Sequence, residues 1–222
     1  MPLTFELIYF PHVHFDDYIQ RLRSRLREPL PGLPEQRHMA PRGRLRAGYE
    51  IAPPDARQGA VLMLLLDDAE GPGLPLIVRT DDGSAHAGQI GLPGGGYEPG
   101  DAFPVGTALR EAEEEIACAS EQVEVIGPLT PLYISVSNYH ITPVVGVYRG
   151  DPGVFRPNPE EVVRIIRASV LALMGGRTSR TVDARGTPMH VPVYALEDTE
   201  VWGATAMMLS EFFAVHREVA ED

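Results

Sequence analysis

The run Arg110-Glu111-Ala112-Glu113-Glu114-Glu115 packs four carboxylates into five positions, and their spacing decides what they can do. On a helix turning about 100° per residue, Val105, Ala108, Leu109, Ala112 and Ile116 share one arc and form a buried face. Glu111, Glu114 and Glu115 occupy the neighbouring arc, while Glu113 points to the opposite flank. Glu111 and Glu115 are then like charges one turn apart near the helix C-terminus, where the macrodipole also disfavours anions. A divalent cation removes that repulsion. Hard Mg²⁺ or Mn²⁺ suits such a site, because it prefers carboxylate oxygens together with phosphate and water. Just upstream, Gly91-Leu92-Pro93-Gly94-Gly95-Gly96 reads as a loop in which Gly94, Gly95 and Gly96 let main chain approach a ligand unobstructed.

Several elements must hold that loop and helix in place. Gly59 to Leu66 and Leu74 to Arg79 are apolar runs joined by a turn and read as two strands. Pro104 to Ala117 is the glutamate helix. Val123 to Leu129, Ile141 to Val147 and Met189 to Val193 read as strands, Pro159 to Leu171 as strand or helix, and Trp202 to Val215 as a helix. On that last helix Trp202, Ala206, Leu209 and Phe213 share one face, which reads as core or, alternatively, as a substrate contact. Interleaving of this kind predicts an α/β fold with a mixed sheet and helices on both faces. Near the start, Asp16 to Leu26 reads as an amphipathic helix with Tyr18, Leu22 and Leu26 inward, a packing or dimer-contact helix that allows a homodimer. Glu28 to Arg46, rich in Pro, Gly and Arg, reads as a linker or extended arm. The expected division is an N-terminal helix and arm over 1–56 and one catalytic domain over 57–222, with residues 1–40 dispensable for chemistry if they only pack or dimerise.

Composition removes other mechanisms. All nineteen cationic side chains are arginine, so a phosphate-loop lysine and a Schiff-base lysine are both excluded. A formal charge of −12 opposes nonspecific binding to nucleic acid but permits a small anionic ligand. The single cysteine, Cys118, supports neither an internal disulfide nor a thiolate zinc site, which fits a reducing cytoplasm. The first residues lack a basic secretory region, and the longest apolar run, near Ala60 to Leu66, is too short to span a bilayer. A cytoplasmic protein without membrane partners is expected.

Gly95, Asp101, Arg110, Glu111, Ala112, Glu114, Glu115, Ala117 and Cys118 together resemble the Nudix box. Asp101 stands for its first Glu, one extra residue precedes Arg110, and Ala117 replaces a Gly. Arg79-Thr80, the run from His86 to Gly95, Thr107-Ala108-Leu109, Ile141 to Gly146 and Pro157 to Val162 are similar to the coenzyme A pyrophosphatase branch. Within that stretch Ser84 stands where the branch has an arginine, Thr80 where it has Ser or Ala, and Leu92 where it has Phe. The resemblance implies a Nudix-like α/β/α sandwich and hydrolysis of a diphosphate by water. It implies that Glu111 and Glu115 ligate Mg²⁺ or Mn²⁺, with Glu114 a third ligand or the base.

Arg110 is then expected to orient a glutamate, and Gly94 and Gly95 to meet the substrate. Arg79 is either a phosphate contact or a structural ion pair, and His86 either a substrate contact or scaffold. Glu161 is a candidate acid from a late loop. The implied substrate is coenzyme A or acyl-CoA, yielding 4′-phosphopantetheine or its acyl form and adenosine 3′,5′-bisphosphate. ADP-ribose, NADH and dinucleoside polyphosphates are the alternatives, and a noncatalytic nucleotide sensor is the alternative of another class.

Overall fold

The structure, a computed structural model, describes residues 14–41, 51–69, 71–81, 83, 87–183, 186–196 and 199–220. His86 and Ser84 lie outside the described residues, as does the arm beyond Pro41 up to Glu50.

Helix α1, Phe15–Arg25, has Asp16 and Asp17 in its first turn and Arg23 and Arg25 in its last, so its charges oppose the helix dipole's ends favourably. It buries Tyr18, Ile19 and Leu22. The arm that follows contains a short helix α2, Leu33–Gln36, and a 3-10 turn, Arg37–Met39. As far as Pro41 the arm is docked: Gln36 and Met39 are completely buried.

Strands β1, Arg57–Asp68, and β2, Gly71–Arg79, form the expected hairpin. β3, Ile90–Gly91, pairs with the end of β2, and β4, Gly94–Gly96, runs antiparallel to the start of β1. The glycine stretch expected as a loop is therefore partly strand. Three consecutive glycines carry no alternation of side chains, so their pairing leaves no mark in the pattern. It requires glycine nonetheless, since a Cβ on Gly94 would sit 2.4 Å from the Ala60 carbonyl oxygen.

Helix α3, Val105–Ile116, comes next, followed by β5, Val123–Pro128, β6, Leu132–Ile134, and β7, Tyr139–Tyr148. β1 and β7 are parallel from Arg57 opposite Tyr139 to Leu65 opposite Val147, and β5 and β6 pair with the other edge of β7. Pro159 to Leu171 resolves into β8, Val162–Ser169, which pairs with β2, and the start of α4, Val170–Gly175. A separate three-stranded sheet of β9, Arg177–Asp183, β10, Pro188–Leu196, and β11, Thr199–Trp202, leads into α5, Gly203–Ala220.

β1 explains the layering. Its apolar run is buried on both faces, which is why it reads as continuous rather than alternating. Ala60, Leu62, Leu64 and Leu66 pack with Ala108, Ala112 and Ile116 of α3. Val61, Met63 and Leu65 share the other core with Ile19 and Leu22 of α1 and Leu209 and Phe212 of α5. Each such buried leucine stabilises by about 2 kcal/mol. The result is the α/β/α sandwich with a mixed sheet.

Candidate active site

α3 ends through its main chain. Ala117 adopts the left-handed conformation (φ 55°, ψ 35°), its N–H donates to Glu113 O at 3.0 Å, and Cys118 N donates to Ala112 O at 3.2 Å. The helix-terminal carbonyls of Glu115 and Ile116 accept from Asn158 N at 2.9 Å and Arg156 N at 3.0 Å. Those bonds fasten the loop carrying Glu160 and Glu161 to the end of the glutamate helix, and Thr80 N donates to Glu161 O at 3.0 Å from the other side.

The four glutamates are graded by burial. Glu115 is fully enclosed, the Glu111 side chain is 13% exposed, and that of Glu114 is 51% exposed. Glu113 is exposed and accepts from Ser120 Oγ at 3.0 Å, away from the others.

Arg110 organises the exposed side. Its Nε donates to Asp101 Oδ1 at 3.1 Å, Nη1 to Glu114 Oε2 at 2.9 Å, and Nη2 to Glu111 Oε1 at 3.0 Å and Gly96 O at 2.9 Å. One planar cation thus positions three carboxylates and the glycine strand. Asp101 also accepts from Thr107 Oγ1 at 2.8 Å and Glu98 N at 3.0 Å, which folds the loop before α3. Its hydrogen bonds, first from Arg110 and then from Glu98 N, bring its carboxyl down to about 2.

The buried side is less complete. Gly94 N donates to Glu115 Oε2 at 2.8 Å. Arg79 Nη2 lies 3.1 Å from Glu115 Oε1, yet its hydrogen bond goes to Gly94 O at 2.6 Å. Oε1 therefore has charge nearby but no hydrogen-bond donor. Burial pushes the Glu115 carboxyl up to about 7, against Arg79 and the Gly94 N–H, with the charges of Glu111 and Glu161 adding to the rise. Glu111 is also raised, by burial first, with Arg110 opposing and Glu114 and Glu161 contributing. Glu161 therefore acts on both.

Gly95 brings main chain against Glu111. A Cβ there would lie 2.5 Å from each carboxylate oxygen, so any side chain at this position would push the Glu111 carboxylate from its place. Mutually repelling carboxylates and a buried oxygen without a donor fit a hard divalent cation. Among the described residues no three acidic, histidine or cysteine groups stand close enough together to hold a metal ion by themselves.

Beside this corner runs a cleft of about 440 Å³. Gly94, Gly95 and Arg79 wall the end near α3, Glu160 and Glu161 line it, and Ile134, Ile141, Trp202 and Met208 supply apolar surface. The α3 glutamates stand behind the glycine main chain rather than in the cleft wall. Ala206, Leu209 and Phe213 are core, whereas Trp202 ends β11 rather than lying on the helix, is half-buried against Val182, Val191 and Val193, and also lines the cleft. Arg57, Tyr139 and Thr205 also line it and were not anticipated. They come from the ends of β1 and β7 and the start of α5, which only the sheet topology brings together.

The chain matches the NUDIX domain model over residues 56–181. It is 36% identical over 155 residues to proteins named uncharacterized Nudix hydrolase NudL from Yersinia pestis and Yersinia pseudotuberculosis, covering 69% of this chain and 76% of theirs. In fold it is similar to the crystal structure of RenU, a Nudix hydrolase of M. smegmatis. The TM-score is 0.51 at 17% identity, over 73% of this chain and 87% of that one. With the glycine strand, Arg110 and the graded glutamates arranged as described, the chain belongs to the Nudix family of pyrophosphohydrolases.

Proposed function

We propose that the protein hydrolyses coenzyme A or acyl-CoA, using Mg²⁺ or Mn²⁺, to 4′-phosphopantetheine or its acyl form and adenosine 3′,5′-bisphosphate. The family works with divalent metals on nucleotide-sized substrates. The observation that carries the reading here is the buried Glu115, with one oxygen lacking a donor, one turn from Glu111 and within electrostatic reach of Glu161. The coenzyme A assignment rests on the residues from Arg79 to Gly95 and on the acidic loop at Asp101. The apolar side of the cleft, with Ile134, Ile141, Trp202 and Met208, suits a pantetheine arm.

In this reading Glu111 and Glu115 hold the cation, with Glu114 a further ligand or the base. The cation's chemistry when bound is to neutralise the diphosphate oxygens and activate water. Arg110 keeps Glu111 and Glu114 oriented, Gly94 and Gly95 offer main chain to the diphosphate, and Arg79 exchanges its place beside Glu115 for a phosphate oxygen. The catalytic unit is residues 57–222, with 1–56 as its helix and arm. Among the described residues no helix is long and apolar enough to cross a membrane.

The test is a panel of coenzyme A, acetyl-CoA, ADP-ribose, NADH and a dinucleoside polyphosphate with each metal, the products identified by chromatography. Coenzyme A is expected to be cut between its two phosphates. Cleavage of another member with coenzyme A untouched would remove the substrate assignment and leave the enzyme class. Tight binding without turnover under either metal would establish a nucleotide sensor instead.

A further inference from the structure

The cleft holds a second cation that the chemistry at α3 leaves unused. Arg57 opens β1, and its guanidinium carbon lies 4.0 Å from the centre of the Tyr139 ring, while Nη2 donates to Ser137 O at 2.9 Å. These two contacts fix the plane of the group. The side chain is exposed on the cleft wall, and among the described residues no carboxylate pairs with it. In a chain of formal charge −12, a cation held on an aromatic face without an acid partner is prepared for an incoming anion.

Its position specifies which anion. Arg57, Gly59 and Val61 alternate onto one face of β1, and Gly59 has no room for a side chain: a Cβ would lie 2.5 Å from Gly95 O and 2.7 Å from Ile141 Cδ1. Gly59 stands opposite Gly96 and Ala60 opposite Gly95, the residue that abuts Glu111. Arg57 therefore begins three strand residues, about 10 Å, from the place where the glycine wall meets the glutamates. That is the span of one nucleoside.

We propose that Arg57 receives a phosphomonoester on the ribose of the substrate's nucleoside half, while the diphosphate lies against Gly94, Gly95 and Arg79. The assignment rests on the pyrophosphohydrolase reading and narrows its substrate class to nucleoside diphosphate derivatives that bear one further phosphate.

The test compares matched pairs that differ only in that phosphate, coenzyme A with 3′-dephospho-coenzyme A and NADPH with NADH, in wild type, Arg57→Gln and Arg57→Lys. Wild type is expected to favour the phosphorylated member in kcat/KM by at least about tenfold, chiefly through KM. In Arg57→Gln that ratio should fall to near one, and Arg57→Lys, which keeps charge but not the planar fork, should recover part of it. Calorimetry with adenosine 3′,5′-bisphosphate and AMP reads the same preference without turnover, and the bisphosphate's advantage should vanish in Arg57→Gln. A wild-type ratio near one in both pairs, or a ratio retained in Arg57→Gln, overturns the proposal. If the coenzyme A pair is inert while NADPH over NADH depends on Arg57, the Arg57 assignment stands and the coenzyme A reading falls. Cleavage of coenzyme A with a ratio indifferent to Arg57 gives the reverse.

Discussion

Glu115 on α3 and Glu211 on α5 are both completely buried, and they are treated in opposite ways. Glu211 Oε1 accepts from Gly32 N at 3.1 Å and Thr130 N at 3.3 Å, and Oε2 from Gln36 Nε2 at 2.8 Å. Three neutral donors from two segments occupy both oxygens, so this carboxylate is a brace between the arm, the turn before β6 and α5. Glu115 has one main-chain donor and an oxygen with none. Burial alone does not mark a functional acid. What separates the two is unused acceptor capacity, spent in Glu211 and retained in Glu115, as the proposed ligand role requires.

The comparison is broken most directly by removing each charge. Glu115→Gln and Glu111→Gln should each lower turnover at least about 100-fold with the fold retained, since each removes a proposed metal ligand. Near-wild-type rates in both variants would end the metal assignment. Removing residues 1–40 should cost more than about 5 kcal/mol in urea unfolding, because Tyr18, Ile19, Leu22 and Met39 leave the core and Glu211 loses two of its three donors. A truncated protein as stable as the full chain would show the brace to be idle. Glu211→Gln should cost about 2 kcal/mol, as an amide NH₂ turned toward Gly32 N or Gln36 Nε2 cannot accept, and kcat of the folded protein should hold.

The two layers also titrate in opposite senses. Glu115 rises to about 7 from an ordinary 4.5, so it binds its proton more tightly folded. The stability it contributes is full below 4.5 and is lost as pH climbs to 7, a change of roughly 3 kcal/mol. His216 on α5, whose Nδ1 lies 2.8 Å from Tyr18 Oη, is lowered to about 4 by burial first and Arg217 second. Its contribution is full above 6.5 and lost as pH falls to 4. Between pH 4.5 and 6.5 the two opposing contributions should largely offset each other in metal-free wild type, the raised Glu111 carboxyl adding a residual fall with pH. Glu115→Gln should uncover a profile that rises with pH, and His216→Phe one that falls. Parallel profiles for the two variants would refute this cancellation. The smallest effect belongs to Ala117→Gly: relieving a left-handed alanine should raise stability by about 1 kcal/mol or less, with turnover unchanged.

How much was legible follows from the physics of each element. The buried face of α3 and the apolar run of β1 declare themselves through periodicity, and the box residues through spacing. β4 and β9 do not, because glycines have no alternation to display and β9 is mostly exposed. The docking of the arm hides in Gln36 and Met39, two unremarkable residues in a Pro-rich stretch. The even stripe of Glu111, Glu114 and Glu115 becomes graded once a sheet lies on one side of it. Arg57 and Trp202 reach the cleft only through the parallel pairing of β1 with β7 and the entry into α5, contacts no local window contains.

The contact between Tyr18 and His216 joins residues 198 positions apart. On the ribosome, at about 5–20 residues per second, α1 emerges between about ten and forty seconds before the helix that receives it. Through that interval Tyr18, Ile19 and Leu22 can meet β1 and its neighbours in the same core but lack the α5 residues that complete their cover. Among the described helices α1 is made first, and its seating is complete only when α5, the last of them, arrives.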